Sequence, residues 1–342
     1  MRILLCLASA TGGIGTHVAD LTGALVAAGH QVQVATDPAT RELFNLPGRA
    51  TLSRMAVRSL ANTADVVHAH GFRAALIAAA VTRRTPFVVS LHNPVRGASS
   101  SPRSIAGESV ARLVLRRADL VTGASSDLVR DARALGARRA QLAEVPSPRV
   151  PALLATDRAH WRAEHRNDLL GAHGLDPARP LVLTIARVAP QKGIDVLADA
   201  AVGAPGQWAL LGPGQEGLSV PSLHLLGATR DVSDWLLAAD VLVVPSEWEA
   251  RALVVQEAMA AGTPVVARRV GGLADLLAGV GLLVDGPQER SAEPLARAVI
   301  ATLEHPHRAG AAAGRARERA RGWDGLTASA SGWVRMYASL QT

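Results

Sequence analysis

The sequence predicts an α/β protein made of two Rossmann-like, doubly wound parallel-sheet domains that face a cleft. The chain has 342 residues, which suits two domains of ordinary size better than a single core. Short apolar runs alternate with helical stretches from end to end, as repeated βαβ units require. Pro146, Pro148 and Pro151 interrupt this alternation near the middle, where we expect the linker.

Each predicted strand is a short apolar run that leads into a loop and then a helical stretch. The strands predicted for the first half are Ile3–Ala8, Val32–Thr36, Val66–Ala69, Phe87–Leu91 and Leu120–Gly123. Those predicted for the second half are Leu181–Ile185, Trp208–Leu211, His224–Leu226, Val241–Val244, Val265–Ala267 and Leu282–Val284. Ligands of such sheets bind beyond the carboxyl ends of the strands, so the loops after the strands should hold the functional residues.

The predicted organisation is an N-terminal domain over residues 1–147, a C-terminal domain over 148–322 and a final helix within 323–342. We expect that helix to pack back on the N-terminal domain. Hydrophobic residues make up 49% of the chain and charged residues 19%, which indicates a folded core and argues against disorder.

The lone cysteine, Cys6, lies in an apolar run and cannot form an internal disulfide. A buried, inert thiol is the expected state, which favours a reducing, cytoplasmic location. The N-terminal apolar stretch is short and leads into a glycine loop, so it predicts a first strand and not a signal peptide. No run approaches the roughly 18 apolar residues that a membrane span needs.

The charge is divided unevenly along the chain. Residues 1–150 carry 18 arginines against nine acidic residues, whereas the rest carries 18 basic against 20 acidic residues. One interpretation is an anionic partner or membrane surface for the first half. The alternative is an arginine-rich, solvated face in a protein of biased composition.

Two cations follow the first apolar strand of the second half, in the segment ARVAPQKG. Arg187 and Lys192 stand where a diphosphate, which gains negative charge as a glycosyl bond breaks, would be neutralised. Lys192 is the single lysine among 35 arginines, which favours a site that needs a compact ammonium group.

Two glutamates eight residues apart occur in the segment PSEWEARALVVQEAMAAGTPVV. Glu249 is predicted in the loop after Val241–Val244, where it would accept hydrogen bonds from sugar hydroxyls. Glu257 is predicted two turns inside the following helix, where it would hold a ribose diol. Backbone N–H groups around Arg251–Val254 would favour phosphate at the helix N-terminus.

A glycine loop, TGGIGTH, follows the first strand and contains Gly12, Gly13 and Gly15. Glycines there allow a backbone to approach phosphate closely. The nicotinamide-binding patterns are not satisfied, because Thr16 stands where a glycine is required. Asp37, at the end of the second strand, is the residue that keeps a dinucleotide-binding alternative open.

Histidines also stand near strand ends. His92 follows the strand Phe87–Leu91 in VVSLHN, where it would hydrogen-bond a sugar hydroxyl or polarise the reacting centre. His68 and His70 are similarly placed, and a satisfied structural role is the simpler interpretation of a lone histidine. The spacings of Asp and His indicate no metal cage and no D-x-D cluster, so no essential metal is expected.

Taken in order, these segments resemble the retaining glycosyltransferases of family 4, which have the GT-B fold. The likeness rests on GGIGTH, VVSLH, ARVAPQKG, DVSDWLLAADVLVVPS, the E-x7-E pair within EAMAAGTPVV and the GG of ARRVGGLADLL. It spans nearly the whole chain. It implies transfer of a sugar from a nucleoside diphosphate to a hydroxyl acceptor with retention, with an acceptor-binding first domain and a donor-binding second domain.

The resemblance also implies roles for individual residues. Gly13 would contact the diphosphate, Arg187 and Lys192 would bind its charge, and His92 would contact the sugar near the anomeric centre. The full donor-binding set is Gly12, Gly13, Gly15, Arg187, Lys192, Glu249, Ala250, Arg251, Ala252, Leu253 and Glu257. The catalytic set is His92, Arg187, Lys192 and Glu249, and the acceptor-side set is His17, Asn93, Arg96 and Arg103.

The chain departs from the family pattern at two places. Members read E-G-F-G after the first glutamate, but here Ala250, Arg251 and Ala252 follow Glu249, and PSPRVPA replaces P-N-G-V-D at the linker. One hypothesis is that Arg251 pairs with a charged sugar. Two other functions stay open: an epimerase or hydrolase of nucleotide sugars, and a non-catalytic nucleotide-sugar-binding protein.

The acceptor is expected on the basic first half, where arginines follow His92. These are Arg96, Arg103, Arg112, Arg116 and Arg117. They predict an anionic or lipid-linked acceptor, or peripheral contact with an anionic membrane at its cytoplasmic face. The sequence does not decide between UDP, GDP and other nucleotides.

Overall fold

Short, apolar strands of the first half pair side by side, all parallel, into one six-stranded sheet. The strands are β1 (Arg2–Leu7), β2 (Gln31–Ala35), β3 (Val66–His70), β4 (Phe87–Leu91), β5 (Leu120–Gly123) and β6 (Ala140–Leu142). Their spatial order is β2-β1-β3-β4-β5-β6, so the direction of winding reverses between β1 and β3. The helices that connect them are α1 (Gly13–Ala27), α2 (Pro38–Phe44), α3 (Arg54–Ala61), α4 (Phe72–Val81), α5 (Pro102–Arg117) and α6 (Ser126–Ala134).

The second half forms another parallel six-stranded sheet, with the order β12-β11-β10-β7-β8-β9. Its strands are β7 (Leu181–Ile185), β8 (Gln207–Leu211), β9 (His224–Leu225), β10 (Val241–Val244), β11 (Val265–Arg268) and β12 (Leu282–Val284). Its helices are α7 (Val150–Ala155), α8 (Arg158–Ala172), α9 (Ile194–Val202), α10 (Ser233–Ala238), α11 (Leu253–Ala261), α12 (Gly271–Leu277), α13 (Glu293–Glu304) and α14 (Pro306–Arg321). A final helix, α15 (Leu326–Ala338), ends the chain. The predicted fold class, two Rossmann-like parallel-sheet domains, is confirmed.

This computed structural model describes residues 1–48, 50–95, 102–143, 145–285 and 291–341, and the side chains of 102–106 lie outside that description. The chain divides into unit 1, Met1–Pro146 with Asp324–Thr342, and unit 2, Ser147–Trp323. Among the helices of the described residues, none has the length and apolar character that crossing a bilayer needs.

The core of each unit follows from the alternation of side chains along buried strands. In unit 2, Leu181 and Leu183 of β7 enter one apolar cluster while Val182 enters the cluster on the opposite face. Both faces of this sheet are therefore covered, as parallel sheets require. In unit 1, Trp333 and Tyr337 of α15 are buried in the same cluster as β1.

Several elements were not predicted from the sequence: β6, α2, α3, α7 and α8. One of them explains Asp37, whose carboxylate accepts a hydrogen bond from the backbone N–H of Thr40 and caps the N-terminus of α2. The hydrogen bond to this backbone also lowers the pKa of Asp37. Asp37 therefore has a structural role that needs no dinucleotide.

Candidate functional site

The site in unit 2 lies where its sheet reverses direction. The strands β7 and β10 are parallel neighbours, and the loops that follow them carry Lys192 and Glu249 respectively. In open α/β sheets this reversal is where ligands bind, because the loops after the two strands diverge and leave a crevice.

Backbone packing brings the two loops together. The loop after β7 makes a short 3₁₀ turn, Pro190–Lys192, and continues through Gly193 with φ 63°. A Cβ at Gly193 would lie 2.5 Å from the carbonyl oxygen of Pro245, so the close approach requires glycine. The N–H of Glu247 donates to the carbonyl of Gln191 at 2.9 Å, which ties the loops together.

Lys192 and Glu249 are in direct contact. The Lys192 Nζ donates to the Glu249 Oε1 at 2.5 Å, and both side chains are largely shielded, with exposed fractions of 17% and 16%. The Ser246 Oγ donates to the same carboxylate oxygen at 2.8 Å. This arrangement places a cation and a hydroxyl-accepting carboxylate side by side at the end of the sheet.

Arg187 stands in the same loop after β7, with its side chain exposed. Among the described residues it makes no hydrogen bond or ion pair. Close packing holds the backbone next to Arg187: a Cβ at Gly212 would lie 2.1 Å from the carbonyl oxygen of Ala186. Arg187 thus offers a guanidinium group on a defined backbone.

The GG pair at the start of α12 holds the backbone of Glu249. The N–H of Gly272 donates to the carbonyl of Glu249 at 2.8 Å. Gly271 has φ 47°, and a Cβ there would lie 2.1 Å from the same carbonyl oxygen and 2.9 Å from the Trp248 indole nitrogen. The GG of the sequence motif therefore positions the Glu249 loop by close packing.

Glu257 is on α11, in its second turn, one turn nearer the N-terminus than predicted because the helix begins at Leu253. Its side chain is 3% exposed. Its Oε1 accepts hydrogen bonds from the Ser147 Oγ at 2.6 Å and from the Arg149 Nη1 at 3.1 Å. The carboxylate is therefore oriented by two residues of the segment that replaces the family's linker motif.

The loop between Glu249 and α11 contains the residues that depart from the family pattern. Ala250 is half-buried, and Ala252 is buried at the N-cap of α11, which has no side-chain cap. The Arg251 guanidinium lies over the Trp323 indole, 5.7 Å from the ring centroid. Leu253 is the first helical residue and is half-buried.

In unit 1, the glycine loop forms the start of α1. Gly12 is its N-cap, and open space surrounds the position of a Cβ at both Gly12 and Gly13. Gly15 differs, because a Cβ there would lie 2.2 Å from the Phe44 ring. Gly15 thus has a packing reason for being glycine, whereas Gly12 and Gly13 leave their backbone accessible.

Three histidines converge at the carboxyl edge of this sheet, although their sequence spacing predicted no such group. His17 is in the first turns of α1, His70 ends β3, and His92 directly follows β4. All are buried, and one ring nitrogen from each lies within 4.8 Å of the other two. The His70 Nδ1 and the His92 Nε2 are 3.2 Å apart and share a hydrogen bond.

Burial keeps these imidazoles uncharged. It lowers the pKa of His92 to about 4 and that of His17 to about 3, where the neighbouring His92 adds to the effect. His68, beside them on β3, also has a lowered pKa because it is buried. His68 bonds the Tyr337 hydroxyl and the Ser90 hydroxyl, both at 2.7 Å, and has the structural role expected for it.

The remaining acceptor-side residues are less defined. Asn93 is exposed beside His92. Arg96 lies outside the described residues, as does the side chain of Arg103.

Several residues of these sites were missed by sequence reasoning: Ser147, Arg149, Ser246, Gly272 and the convergence of His70 with His17 and His92. Gly272 belongs to the GG motif, and Ser147 and Arg149 belong to the altered linker segment, so the sequence drew attention to these three. It did not reveal the residues that they contact, because those are far away in sequence. Ser147 and Glu257, for example, are 110 residues apart.

Comparison with known proteins gives two family matches. Residues 12–148 match a glycosyl transferase 4-like domain, and residues 179–305 match the glycosyl transferases group 1. The chain is similar to a D-inositol 3-phosphate glycosyltransferase of Xylanimonas cellulosilytica, with 29% identity over 93% of this chain and 90% of the relative. It is 33% identical to the protein of that name from Frankia alni, over 80% of this chain and 74% of the relative.

Solved structures share the fold. HepE from Anabaena, crystallised with UDP, matches 99% of this chain and 100% of its own with a TM-score of 0.81 and 20% identity. Sucrose-phosphate synthase from Thermosynechococcus elongatus matches 99% of both chains with a TM-score of 0.78 and 22% identity.

Proposed function

This chain belongs to glycosyltransferase family 4 with the GT-B fold, and we propose that it transfers a sugar from a nucleoside diphosphate to a hydroxyl group with retention of anomeric configuration. The observation that carries the proposal is the contact of Lys192 with Glu249 at the winding reversal of unit 2, beside the exposed Arg187. The three side chains supply what a sugar diphosphate needs: positive charge for the phosphates and a carboxylate for the hydroxyls.

A bound donor would take over the contact that Lys192 makes with Glu249. The ammonium group would turn to the diphosphate, where it stabilises the charge that develops as the glycosyl bond breaks. The Glu249 carboxylate, still held by Ser246, would accept hydrogen bonds from the sugar. Binding would therefore exchange the Lys192–Glu249 ion pair for contacts of each side chain with the donor.

Glu257 is proposed to hold the ribose of the nucleotide. Ser147 and Arg149 both donate to its Oε1, which holds the carboxylate in place, and we propose that its other oxygen accepts from the ribose. A ribose diol is a suitable partner, because its two hydroxyls are donors and the carboxylate accepts only.

We propose that His92 contacts the donor sugar. Because burial keeps it neutral, it can accept one hydrogen bond and donate another at physiological pH. In the proposed reaction the leaving phosphate takes the proton of the incoming hydroxyl on the donor's own face, so no protein base is required.

The test is a thermal-shift panel of nucleoside diphosphates and their sugars, followed by assay of the stabilising donor with acceptors. A bound donor raises the melting temperature by mass action. UDP and UDP-glucose come first, since HepE has been crystallised with each of them. Retention is read from the NMR coupling of the new anomeric proton. Epimerised or hydrolysed donor without acceptor would instead favour the alternative enzyme classes.

We further propose that the acceptor is anionic. The first 150 residues carry twice as many arginines as acidic residues, and the Xylanimonas and Frankia relatives are named for an inositol phosphate. D-inositol 3-phosphate is the first acceptor to assay, with uncharged inositol as its control. Equal kcat/KM for the two would overturn the preference for charge.

A lipid-linked acceptor or membrane contact has support from α5. Leu113 is 71% exposed and Val110 38% exposed, with Arg112 and Arg116 exposed beside them. Exposed apolar and basic side chains on one helix favour an anionic membrane surface. Co-sedimentation with phosphatidylserine vesicles tests this, comparing Leu113→Ser with Val202→Ser, which removes another exposed apolar side chain from unit 2. Equal loss in both variants would refute a role for α5.

A further inference from the structure

The cluster of His17, His70 and His92 has the composition of a metal site. Each ring offers one nitrogen, and those nitrogens lie within 4.8 Å of one another. Three imidazoles around one tetrahedral ion place their nitrogens about 3.3 Å apart, given a metal–nitrogen distance of about 2.0 Å. The His70 Nδ1 and the His92 Nε2 lie 3.2 Å apart, which is close to the spacing that two ligands of one ion need.

The hydrogen bonds of His70 satisfy only one of its two ring nitrogens among the described residues. Its Nδ1 shares a hydrogen bond with His92, but its Nε2 is buried and has no hydrogen-bond partner in the described part of the chain. A neutral imidazole carries one N–H and one lone pair, so whichever tautomer is present, a polar atom of His70 stays unsatisfied. Buried polar atoms are nearly always paired, and an ion at Nε2 would pair this one, whereas an ion at Nδ1 would replace the hydrogen bond with His92.

The positions of the three residues make the cluster a rigid one. They come from three adjacent segments at the point where the first sheet reverses, between β1 and β3 and next to β4. The His70 ring also lies 4.0 Å from the tilted ring of His68 and is stacked with that of His92 at 5.5 Å, measured between ring centroids. Ligands on such elements are held in place before an ion arrives.

We propose that His17, His70 and His92 bind one transition-metal ion of the zinc class. Imidazole suits Zn²⁺ and Co²⁺, and the cluster contains no carboxylate that would favour Mg²⁺ or Ca²⁺. Three protein ligands leave a fourth position for water. The sugar transfer proposed above does not need this ion. The ion would bind a ring nitrogen of His92. If His92 contacts the donor sugar, binding of the ion and binding of the donor therefore exclude each other.

The test is a titration of the full chain, purified without a polyhistidine tag, with Zn²⁺ by calorimetry and with Co²⁺ by visible absorption. We expect one ion per chain and the intense absorption of a four-coordinate Co²⁺ site. His70→Gln should weaken binding by ~100-fold or more, beyond the 10- to 100-fold loss expected for an outer-shell partner. His224→Gln, which removes an exposed histidine of β9, should leave it unchanged.

Two results would overturn the site: no binding of either ion to the wild-type chain, or the same affinity in His70→Gln as in His224→Gln. If circular dichroism shows His70→Gln to be unfolded, His17→Gln replaces it, with the same expected loss.

A separate competition experiment distinguishes this proposal from the role of His92. The donor identified by the thermal-shift panel is titrated with and without one equivalent of Zn²⁺, and we expect about tenfold weaker donor binding with the ion. Unchanged donor binding beside tight Zn²⁺ binding would support the metal site and overturn the contact of His92 with the sugar.

Discussion

Replacing Arg149 by alanine tests the ion pair that it forms with Glu257 in unit 2. The change removes one of two groups that hold the Glu257 carboxylate and leaves Ser147 alone against a side chain that is 3% exposed. A carboxylate that loses its cation while staying buried is destabilised by its own charge. The folded state of unit 2 should therefore lose stability, and the ribose contact should lose its orientation.

The magnitude follows from the exposure of the two partners. Breaking a buried ion pair costs about 3–5 kcal/mol. Arg149 is 35% exposed, so water replaces part of its contribution, and we expect about 2 kcal/mol. That corresponds to a fall of about 4–8 °C in the melting temperature of unit 2. Because Glu257 is also proposed to hold the ribose, we expect the variant to bind UDP about tenfold more weakly, which corresponds to about 1.4 kcal/mol of binding free energy.

The assay combines urea unfolding with UDP binding by calorimetry. The matched control is Arg297→Ala, which breaks an exposed i, i+4 pair with Glu293 and should cost at most about 0.5 kcal/mol. Ser147→Ala should fall between the two, since a hydrogen bond to a charged group contributes about 1.5 kcal/mol. Arg149→Ala with the stability and UDP affinity of the control would refute the reasoning.

Three further predictions test other parts of the chain. Lys192→Met should lower kcat/KM about 100-fold because it removes the cation. Lys192→Arg should keep only part of the activity, because the site is built for the compact ammonium group that contacts Glu249. Full activity of the Arg variant would contradict this. Burial raises the pKa of the Cys6 thiol to about 12, so a disulfide reagent should label it only as unit 1 unfolds, and rapid labelling in native buffer would count against this. Gly271→Ala should weaken UDP binding because the new Cβ would clash with the Glu249 carbonyl oxygen. The control is Gly279→Ala, where φ is 74° but open space surrounds the Cβ, so that only backbone strain is added. Equal effects of the two variants on UDP binding would show that the clash is unimportant.

Sequence pattern predicted the strands that are rich in apolar residues. Phe87–Leu91, Leu181–Ile185 and Val241–Val244 have the predicted bounds, because runs dominated by Val, Leu and other apolar residues favour a buried strand. The strand β6 was missed because Ala140–Leu142 is short, polar at its centre and partly exposed at the edge of its sheet. A run of apolar residues, and not burial of both faces, is what the pattern detects, since the partly exposed strand Leu282–Val284 was also predicted with its observed bounds.

The positions of the candidate residues along the chain were readable, but their partners were not. Lys192 and Glu249 were chosen separately, each as the residue after a strand, and the structure brings them into contact because β7 and β10 are neighbours. Strand order depends on crossovers, which no local pattern encodes. The same limit hid the convergence of His17 with the two histidines that follow β3 and β4.

The altered loop after Glu249 is compatible with a formed donor site. Among the described residues, Asn45 is the one non-glycine residue with positive φ, so the backbone from Glu249 to Leu253 adopts conformations open to alanine and arginine. The glycine that this loop requires stands on the opposing segment, at Gly271, where the chain retains it. Because the missing glycines of E-G-F-G are not needed for the backbone path, the departure from the family pattern is weak support for a non-catalytic protein. Arg251 packs instead over the Trp323 indole, 5.7 Å from the ring centroid.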